Sequence, residues 1–233
     1  MIKGIFHLGS GIGNQLHRFI GTKILALEKG EEHSMIAPEL FKGHDFIKLD
    51  LPPNHDKYTI EYPTGKVVPE SYEGVVDGEF QAEKDFNHPL LKDWLVTEPL
   101  EMPDDLCIIN FRGGEYRGVA DLFLPKEYWD MAIKEMLEVN PKMQFHVHTD
   151  DQLTAMSFFP DFPIIIGISL NWRSIRYAKY LILSNSSFAI LPAYLGDAEL
   201  IIAPKYWARY NTKEWINPDN ATYSKFKYIH HED

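Results

Sequence analysis

The sequence predicts an α/β protein with a mainly parallel sheet covered by helices on both faces. Short apolar runs typical of buried strands alternate with segments whose apolar residues recur at the helical period. The 233 residues, of which 45% are hydrophobic, can build a sizeable core. Two polar loop segments, Gly11–Gln15 and Asn110–Tyr116, each follow an apolar run and precede a helical pattern. Because α/β proteins bind phosphates and sugars at such turns, we expect an enzyme acting on a nucleotide-linked substrate.

The amino-terminal part predicts one strand and one helix, followed by irregular chain. Gly4 to Leu8 has the pattern of a strand, and Asn14 to Glu28 carries apolar residues at the helical period, with Gly30 as the stop signal. From Glu31 to Pro69 the pattern weakens because prolines interrupt it repeatedly, and we expect short strands and loops there. Glu79 to Leu95 predicts a loop followed by a helix.

Pro99 and Pro103 interrupt any helix before the apolar run at Leu106, which indicates a lobe boundary near residue 100. We therefore expect a first lobe of residues 1–100, a second of residues 101–205, and an aromatic tail, residues 206–233, that packs across the body. The elements predicted for the second lobe are strands at Leu106–Asn110, Met143–His148, Pro163–Ile168 and Tyr180–Ser184, and helices at Lys126–Val139, Ser174–Lys179 and Phe188–Leu195.

Composition and charge exclude several classes of protein. A formal net charge of -11 argues against nucleic acid as a partner, because binding along a phosphate backbone needs clustered Lys and Arg. The single cysteine, Cys107, lies in an apolar run and is expected to be a buried structural thiol. No apolar stretch is long enough for an integral membrane segment, so we expect a soluble protein of the cytoplasm.

Arg112 follows directly on a predicted buried strand and is the strongest candidate for binding an anion. Gly113 and Gly114 beside it remove side-chain bulk where a pyrophosphate could dock, and the planar guanidinium can bind phosphate through two hydrogen bonds. The competing interpretation is a surface arginine in a salt bridge with Glu115.

Gly11, Gly13 and Asn14 predict a turn in which backbone can approach a ligand closely, and the Asn14 amide can both donate and accept hydrogen bonds. The pattern lacks the full dinucleotide-binding fingerprint, and a tight connection before a helix explains it equally well.

Two further polar segments follow predicted strands. Asp150 and Asp151 could accept hydrogen bonds from a base or a ribose, although helix capping is the alternative. The Ser184–Ser187 segment precedes an apolar helix, where hydroxyls and free backbone amides favour an anion, and capping explains part of it. His146 and His148 share one face of a strand, but without a third ligand at a suitable spacing they favour a structural or surface role over a metal site.

Several motifs of other enzyme classes are absent from the sequence. It contains no Asp-x-Asp triplet of the kind that carries the metal of many sugar transferases, so metal independence is the better expectation. It also contains neither a Gly-x-Ser-x-Gly elbow nor a Walker loop, which disfavours a hydrolase and a nucleoside triphosphatase.

Taken in order, five segments resemble motifs of glycosyltransferase family 11, the α-1,2-fucosyltransferases, and more distantly the protein O-fucosyltransferases. Gly11–Gln15 resembles Gly-Gly-Leu-Gly-Asn-Gln, Asp77–Lys84 resembles Gly-Tyr-Phe-Gln-Ser-Glu-Lys, and Asn110–Tyr116 resembles His-x-Arg-Arg-Gly-Asp-Tyr. His148–Asp151 resembles Phe-Ser-Asp-Asp, and Ser184–Leu195 resembles Ser-Asn-Ser-Ser-Phe-Ser-Trp-Trp-Ala-Ala-Tyr-Leu. The resemblance covers most of the chain, and five ordered matches are more specific than any single one.

The resemblance implies a GT-B-like fold of two small Rossmann-type lobes with a cleft between them, GDP-fucose as the donor, a saccharide or glycan acceptor, no cofactor or metal, and inversion at the anomeric carbon. By position, Arg112 would neutralise the β-phosphate, Asp150 or Asp151 would bind guanine, and Asn14 would reach the cleft from the opposite lobe. Ser186 or Ser187 would donate hydrogen bonds to the pyrophosphate. The implied donor-binding residues are Gly13, Asn14, Gln15, Asn110, Arg112, Asp150, Asp151, Asn185, Ser186 and Ser187.

The chain also departs from the family pattern. Asn110 replaces the motif's His, Gly113 its second Arg, Glu115 its Asp, and Ile190-Leu191 the paired Trp. The same fold with a different nucleotide-sugar donor, and a non-catalytic module that binds GDP-sugar or glycan, therefore stay open as alternatives. Inverting transfer also needs a base for the acceptor hydroxyl, and Glu115, followed by Asp121, is the candidate.

Overall fold

The structure is a computed structural model that describes residues 1–53, 55–208 and 222–230. The chain divides into two compact units, Met1–Thr97 and Glu98–Asp233, called unit 1 and unit 2 below. Among the described residues, no helix combines the length and the apolar character that crossing a membrane requires.

Unit 1 begins with a β-α-β segment. Strand β1 (Ile2–Ile5) leads through helix α1 (Ile12–Lys29) to strand β2 (His33–Ile36), which pairs with β1 in parallel. Helix α1 begins two residues before the predicted start and ends one residue after the predicted end. It stops at Gly30 as predicted, because Gly30 adopts the left-handed conformation (φ 64°) and caps the last turn. The remaining elements of the described part of unit 1 are a 3₁₀ turn (Pro38–Leu40), β3 (Tyr58–Glu61), β4 (Lys66–Pro69), α2 (Glu83–Phe86) and α3 (Leu91–Trp94).

Strands β3 and β4 form an antiparallel hairpin, unlike the mainly parallel pairing that the sequence predicts. Gly65, with φ 68°, forms the reversal, and its amide donates to Glu61 O at 2.8 Å. A Cβ at this position would lie 2.5 Å from Gly9 N, so both the backbone angle and the space require glycine. In residues 1–53 and 55–97, the parallel pairing is therefore confined to β1 with β2, and to an isolated bridge from Lys3 to Val75.

Unit 2 contains a six-stranded sheet in which every strand pair is parallel. Its strands are β5 (Leu106–Phe111), β6 (Gln144–Thr149), β7 (Ile164–Ile166), β8 (Tyr180–Leu183), β9 (Leu200–Pro204) and β10 (Lys227–Ile229). Its helices are α4 (Lys126–Val139), α5 (Gln152–Phe158), α6 (Ile168–Tyr177) and α7 (Ser187–Leu195). The alternation of strands and helices predicted for this part of the chain is confirmed, and the unit is an α/β, Rossmann-like fold.

The strands of unit 2 lie in the order β10-β9-β8-β5-β6-β7. Numbered within the unit and read from β7, this is the 3-2-1-4-5-6 order of a doubly wound sheet. From β5 the chain continues to β6, which lies toward one edge of the sheet. From β8 it continues to β9, which lies toward the other edge. The order of winding therefore reverses between β5 and β8.

An aromatic-rich cluster packs on one side of this sheet. Phe111, at the end of β5, is 1% exposed and contacts four aromatic rings, those of Phe123, Trp129, Phe158 and Phe159. Tyr128 of α4 is fully buried, and its hydroxyl donates to Leu183 O at 2.6 Å. The core therefore fixes the carboxyl ends of both central strands, β5 and β8.

Four elements of unit 2 differ from the prediction. Helix α6 begins at Ile168, six residues before the predicted start, because the apolar run of β7 continues through Gly167 and periodicity alone does not mark the change. Helix α5 and strands β9 and β10 were not predicted. The described part of the tail adds β10 to the edge of the sheet, and residues 209–221 and 231–233 of the predicted tail lie outside the described residues.

Candidate functional site

The carboxyl ends of β5 and β8 bring two of the sequence-predicted loops together. Asn110 pairs with Leu183 in the strand register, so Arg112 and Ser184 each follow neighbouring strands at the same edge of the sheet. In open α/β sheets ligands bind outside the carboxyl ends of the strands where the winding reverses. The fold thus places the Arg112 loop and the Ser184–Ser187 segment at the location favoured for a ligand.

Arg112 is held by two carboxylates. Its side chain is 31% exposed, one guanidinium nitrogen donates to Glu115 Oε1 at 2.8 Å, and another pairs with Asp150. The guanidinium also lies over the Tyr116 ring, 5.3 Å from its centre. The salt bridge to Glu115, which the sequence left open as the alternative, is present, so an incoming anion must compete with carboxylates for this arginine.

Gly113 and Gly114 have a packing reason that is independent of any ligand. The Gly113 amide donates to Asp150 Oδ1 at 3.0 Å. A Cβ at Gly113 would lie 2.7 Å from the Asp151 Cβ, and one at Gly114 would lie 2.3 Å from Asp150 Oδ2. The two glycines therefore let the loop after β5 pack closely against the two aspartates that follow β6.

Asp150 and Asp151 have different roles in the structure. Asp150 links the two loops through Arg112 and the Gly113 amide. Asp151 is the N-cap of α5, where Oδ1 accepts from Thr154 N at 3.1 Å and Oδ2 from Thr154 Oγ1 at 2.6 Å. These bonds lower the Asp151 pKa, the Thr154 side chain contributing most. Capping, the alternative interpretation of this pair, thus applies to Asp151.

Asn110 and Ser184 connect the two central strands directly. The Ser184 hydroxyl donates to Asn110 Oδ1 at 2.8 Å, and the Ser184 amide donates to Asn110 O at 3.0 Å. Asn185 is 1% exposed, and its amide nitrogen donates to Leu122 O at 2.8 Å and to Trp207 O at 2.5 Å. These side chains hold the edge of the sheet together, and donor binding by Asn110 and Asn185 stays a prediction.

Ser186 and Ser187 lie at the start of α7. Ser186 is the N-cap residue in an extended conformation, and its side chain makes no capping hydrogen bond. The first backbone amides of a helix lack partners within the helix and carry its positive end. This short stretch therefore offers hydroxyl and amide donors beside the end of β8.

Sequence reasoning did not identify a buried polar pair below the site. His148, which is 2% exposed, places Nδ1 3.0 Å from Asn171 Oδ1, and the Asn171 amide donates to Thr149 O at 3.3 Å. Because the amide oxygen can only accept, the imidazole donates from Nδ1. The pair fixes the end of β6 next to Asp150. No local signal marks Asn171, since it lies 23 residues from His148 along the chain.

His148 makes the stability of unit 2 depend on pH. Burial lowers its pKa from 6.5 to about 4, against a smaller raising effect of the bond to Asn171. Above pH 6.5 the imidazole is neutral in both states, whereas between pH 6.5 and about 4 only the unfolded chain takes up the proton. We expect the free energy of unfolding to fall by about 3 kcal/mol over this range, because one pKa unit corresponds to about 1.4 kcal/mol.

The measurement is urea-induced unfolding of the wild-type chain and of His148→Gln at a series of pH values. The variant loses stability at neutral pH because the packing changes, but its decline toward low pH should be smaller by the same amount. Parallel curves for the two proteins would contradict the assignment to His148.

The two candidates for the catalytic base lie in the loop after β5. Glu115 is 74% exposed in its side chain and begins a short 3₁₀ turn, Glu115–Gly118. Asp121 lies between this turn and α4. Both are close in sequence to Arg112, and their part in proton transfer stays a prediction.

Gly13, Asn14 and Gln15 belong to unit 1 and form part of the first turn of α1 instead of a separate loop. Gln15 is fully buried; its amide donates to His7 O and Leu40 O, and its oxygen accepts from Lys42 N. Asn14 Oδ1 accepts from Gln81 Nε2 at 3.2 Å. Gln15 therefore has a structural role in unit 1, and contact of these residues with a donor stays a prediction.

Among residues 1–53, 55–208 and 222–230, no group of three or more His, Cys, Asp or Glu side chains is arranged to hold a metal ion. No protein-family model matches the chain, and no curated protein is significantly similar to it.

Proposed function

We propose that this protein is a metal-independent, inverting glycosyltransferase that transfers L-fucose from GDP-fucose to a saccharide hydroxyl. The observation that carries the proposal is the reversal of winding between β5 and β8, which places Arg112 and the Ser186–Ser187 donors at neighbouring strand ends. The ordered motif resemblance supplies the donor and the reaction type. In this proposal unit 2 is the donor-binding lobe of a GT-B-like enzyme and unit 1 is the acceptor-side lobe.

Binding of the diphosphate depends on an exchange of partners at Arg112. Residues 112–121 and 150–151 contain two arginines and four carboxylates, so the ligand-free loops carry an excess of negative charge. A diphosphate must therefore draw Arg112 away from Glu115 or Asp150. The gain is a bidentate, charge-assisted contact. Where Arg112 leaves Asp150, Oδ2 of this carboxylate becomes free to accept a hydrogen bond from a guanine base, as the resemblance implies.

The chemistry follows from the leaving group. The acceptor oxygen forms a bond to the anomeric carbon while the bond from this carbon to the phosphate oxygen breaks, and the electron pair leaves with GDP. Arg112 and the donors at the start of α7 stabilise the growing charge on the diphosphate, which favours the transition state over the intact donor. The acceptor proton passes to a carboxylate, for which Glu115 is the first candidate and Asp121 the second.

Two departures from the family pattern have structural counterparts that bear on the donor. Gly113 stands where the family has a second arginine, and close contact with Asp151 leaves no space for a side chain. Ile190 and Leu191 stand where the family has paired tryptophans, and both are buried, at 2% and 0% exposure. Arg112 is thus the main cation for the diphosphate, and the residues at 190 and 191 contribute to the core.

The alternative of a non-catalytic module that binds GDP-sugar or glycan is favoured by the same observation at Gly113. A site with one arginine, already paired with two carboxylates, can retain nucleotide binding while stabilising the leaving group too weakly for turnover.

The test is a comparison of nucleotide sugars in binding and in turnover. GDP, GDP-fucose, GDP-mannose and a UDP-sugar are each added in a thermal-shift assay, where a ligand at a hundred times its Kd stabilises by about 2.7 kcal/mol. Release of GDP is then measured with a panel of saccharide acceptors. Stabilisation by GDP-fucose together with acceptor-dependent GDP release supports the transferase. Stabilisation without release under any acceptor supports the binding module, and no saturable response to GDP rejects both.

A further inference from the structure

Unit 1 contains a cavity that the proposed function does not use. Its volume is about 690 Å³, within the range of roughly 300 to 1,000 Å³ found for small-molecule pockets. It is lined by the first residues of β1 and β2, the second half of α1, and residues from Asp50 to Asp56. Parallel strands β1 and β2 both begin here, so the cavity lies at the edge of this sheet opposite to the Gly11–Gln15 segment.

Five polar side chains in the cavity wall have no hydrogen bond or ion pair with the described residues: Lys23, Glu32, His33, Asp50 and His55. The Lys23 ammonium lies over the Phe19 and Trp94 rings, at 5.4 Å and 5.1 Å from their centres. His33 Nε2 is buried without a hydrogen-bond partner in the described part of the chain. Because a buried polar atom normally has a partner, His33 Nε2 is a group that a bound molecule can satisfy. Lys23, which is partly exposed, and Asp50 and His55, which are exposed, add further donors and an acceptor to the same wall.

Three of these groups lie close enough to affect one another electrostatically. Burial lowers the pKa of Lys23, and the nearby Asp50 opposes this effect. Burial also lowers the pKa of His33, which is influenced by both Lys23 and Asp50. Lys23, His33 and Asp50 therefore form one cluster that offers an ammonium, an imidazole and a carboxylate to a single ligand.

The charge of the lining favours a neutral ligand. Three positive groups, the amino terminus, Lys3 and Lys23, are outnumbered by four carboxylates, and two of the positive groups are already paired, with Glu31 at 2.5 Å and Asp56 at 2.8 Å. An anion would meet the excess of carboxylates, and a cation would lie beside Lys23. A hydroxyl can donate to Asp50 and accept from Lys23 without adding charge.

One part of the cavity wall is apolar. Ala26, Leu27, Pro52 and Pro53 line the cavity next to the charged groups. A sugar ring matches this combination, because it has C–H groups that pack on apolar surface and a rim of hydroxyls that both donate and accept.

We propose that this cavity binds a neutral saccharide, with its hydroxyls hydrogen-bonded to Lys23, His33 and Asp50 and its ring packed on the proline side. This site does not depend on the proposed transferase activity, because it lies wholly within unit 1 and its occupation requires no nucleotide.

The test uses the full chain and a panel of glucose, galactose, lactose, N-acetyllactosamine and maltotriose, measured by isothermal titration and by NMR of the Trp94 indole. We expect at least one saccharide to bind saturably and to shift the Trp94 resonance. Asp50→Asn should weaken this binding roughly tenfold, as expected for loss of one charge-assisted hydrogen bond. Asp45→Asn makes the same change at an exposed position outside the cavity and should leave the affinity as it is.

A second variant, Lys23→Met, tests the cation, with Lys29→Met in the last turn of the same helix as its control. Unfolding curves of all four variants separate loss of binding from loss of fold. Absence of saturable binding across the panel overturns the proposal. So does equal binding by Asp50→Asn and Asp45→Asn, or saturable binding of inorganic phosphate in the cavity in place of the sugars.

Discussion

Replacing Arg112 by glutamine should weaken GDP binding by roughly ten- to a hundredfold, the equivalent of about 1.5 to 3 kcal/mol for a charge-assisted hydrogen bond. The proposed diphosphate site depends on this guanidinium more than on any other group, because Gly113 supplies no second cation. Turnover should fall further than binding, since the leaving diphosphate carries more charge in the transition state than in the intact donor. The measurements are the Kd for GDP by titration and kcat/KM with GDP-fucose.

Arg117→Gln is the matched control, because it removes the same charge from the same loop. Arg117 donates to Thr154 Oγ1 at 3.3 Å and has no part in the proposed diphosphate contact. Arg112 is partly exposed, and its ion pairs contribute at most about 1 kcal/mol to folding, so Arg112→Gln should stay folded. If Arg112→Gln binds GDP as tightly as Arg117→Gln does, the assigned phosphate site is wrong.

Replacing Phe111 by alanine should destabilise unit 2 by about 3 to 5 kcal/mol, the usual range when a buried aromatic ring is removed and a cavity is left. Phe111 is 1% exposed and contacts four other aromatic rings. The loss is expected in the urea midpoint of unit 2. Indole resonances separate the units, since Trp94 reports on unit 1 and Trp129 and Trp172 report on unit 2.

Leu153→Ala serves as the control for this prediction, because Leu153 is 79% exposed and its truncation should change stability by less than about 0.5 kcal/mol. A similar urea midpoint for Phe111→Ala and Leu153→Ala would show that the aromatic cluster does not determine the stability of unit 2.

The strands of unit 2 could be predicted because both faces of a parallel sheet are buried, which gives continuous apolar runs. Leu106–Ile109 and Tyr180–Leu183 are such runs. Ser184 follows the second run and begins a loop, whereas Asn110 and Phe111 complete β5 before the loop at Arg112 begins. The predicted site residues at these strand ends followed from the same pattern. The order of the strands could not be predicted, because it depends on pairing between residues far apart in the chain.

The hydrogen-bond partners of the site residues could not be predicted from local sequence patterns either. Gly113 and Asp150 are 37 residues apart, and nothing near either one indicates that the aspartate binds this amide. The hairpin of β3 and β4 depends on Gly65 fitting against Gly9, a contact across more than 50 residues of chain. Strand β9 was missed because a short apolar run is compatible with either a strand or a buried helix.

The two oxygens of Asp150 give the proposed site an internal competitor. One oxygen holds the Gly113 amide and the other holds Arg112, so this single carboxylate occupies the groups that a diphosphate needs. An anion that binds Arg112 must first break the contact between this arginine and Asp150. The measured affinity therefore includes the free energy of breaking that contact. Occupancy of the site and order in the loop after β5 are therefore thermodynamically linked. A substitution that weakens the contacts of Asp150 can raise the affinity for the anion without contacting the anion itself.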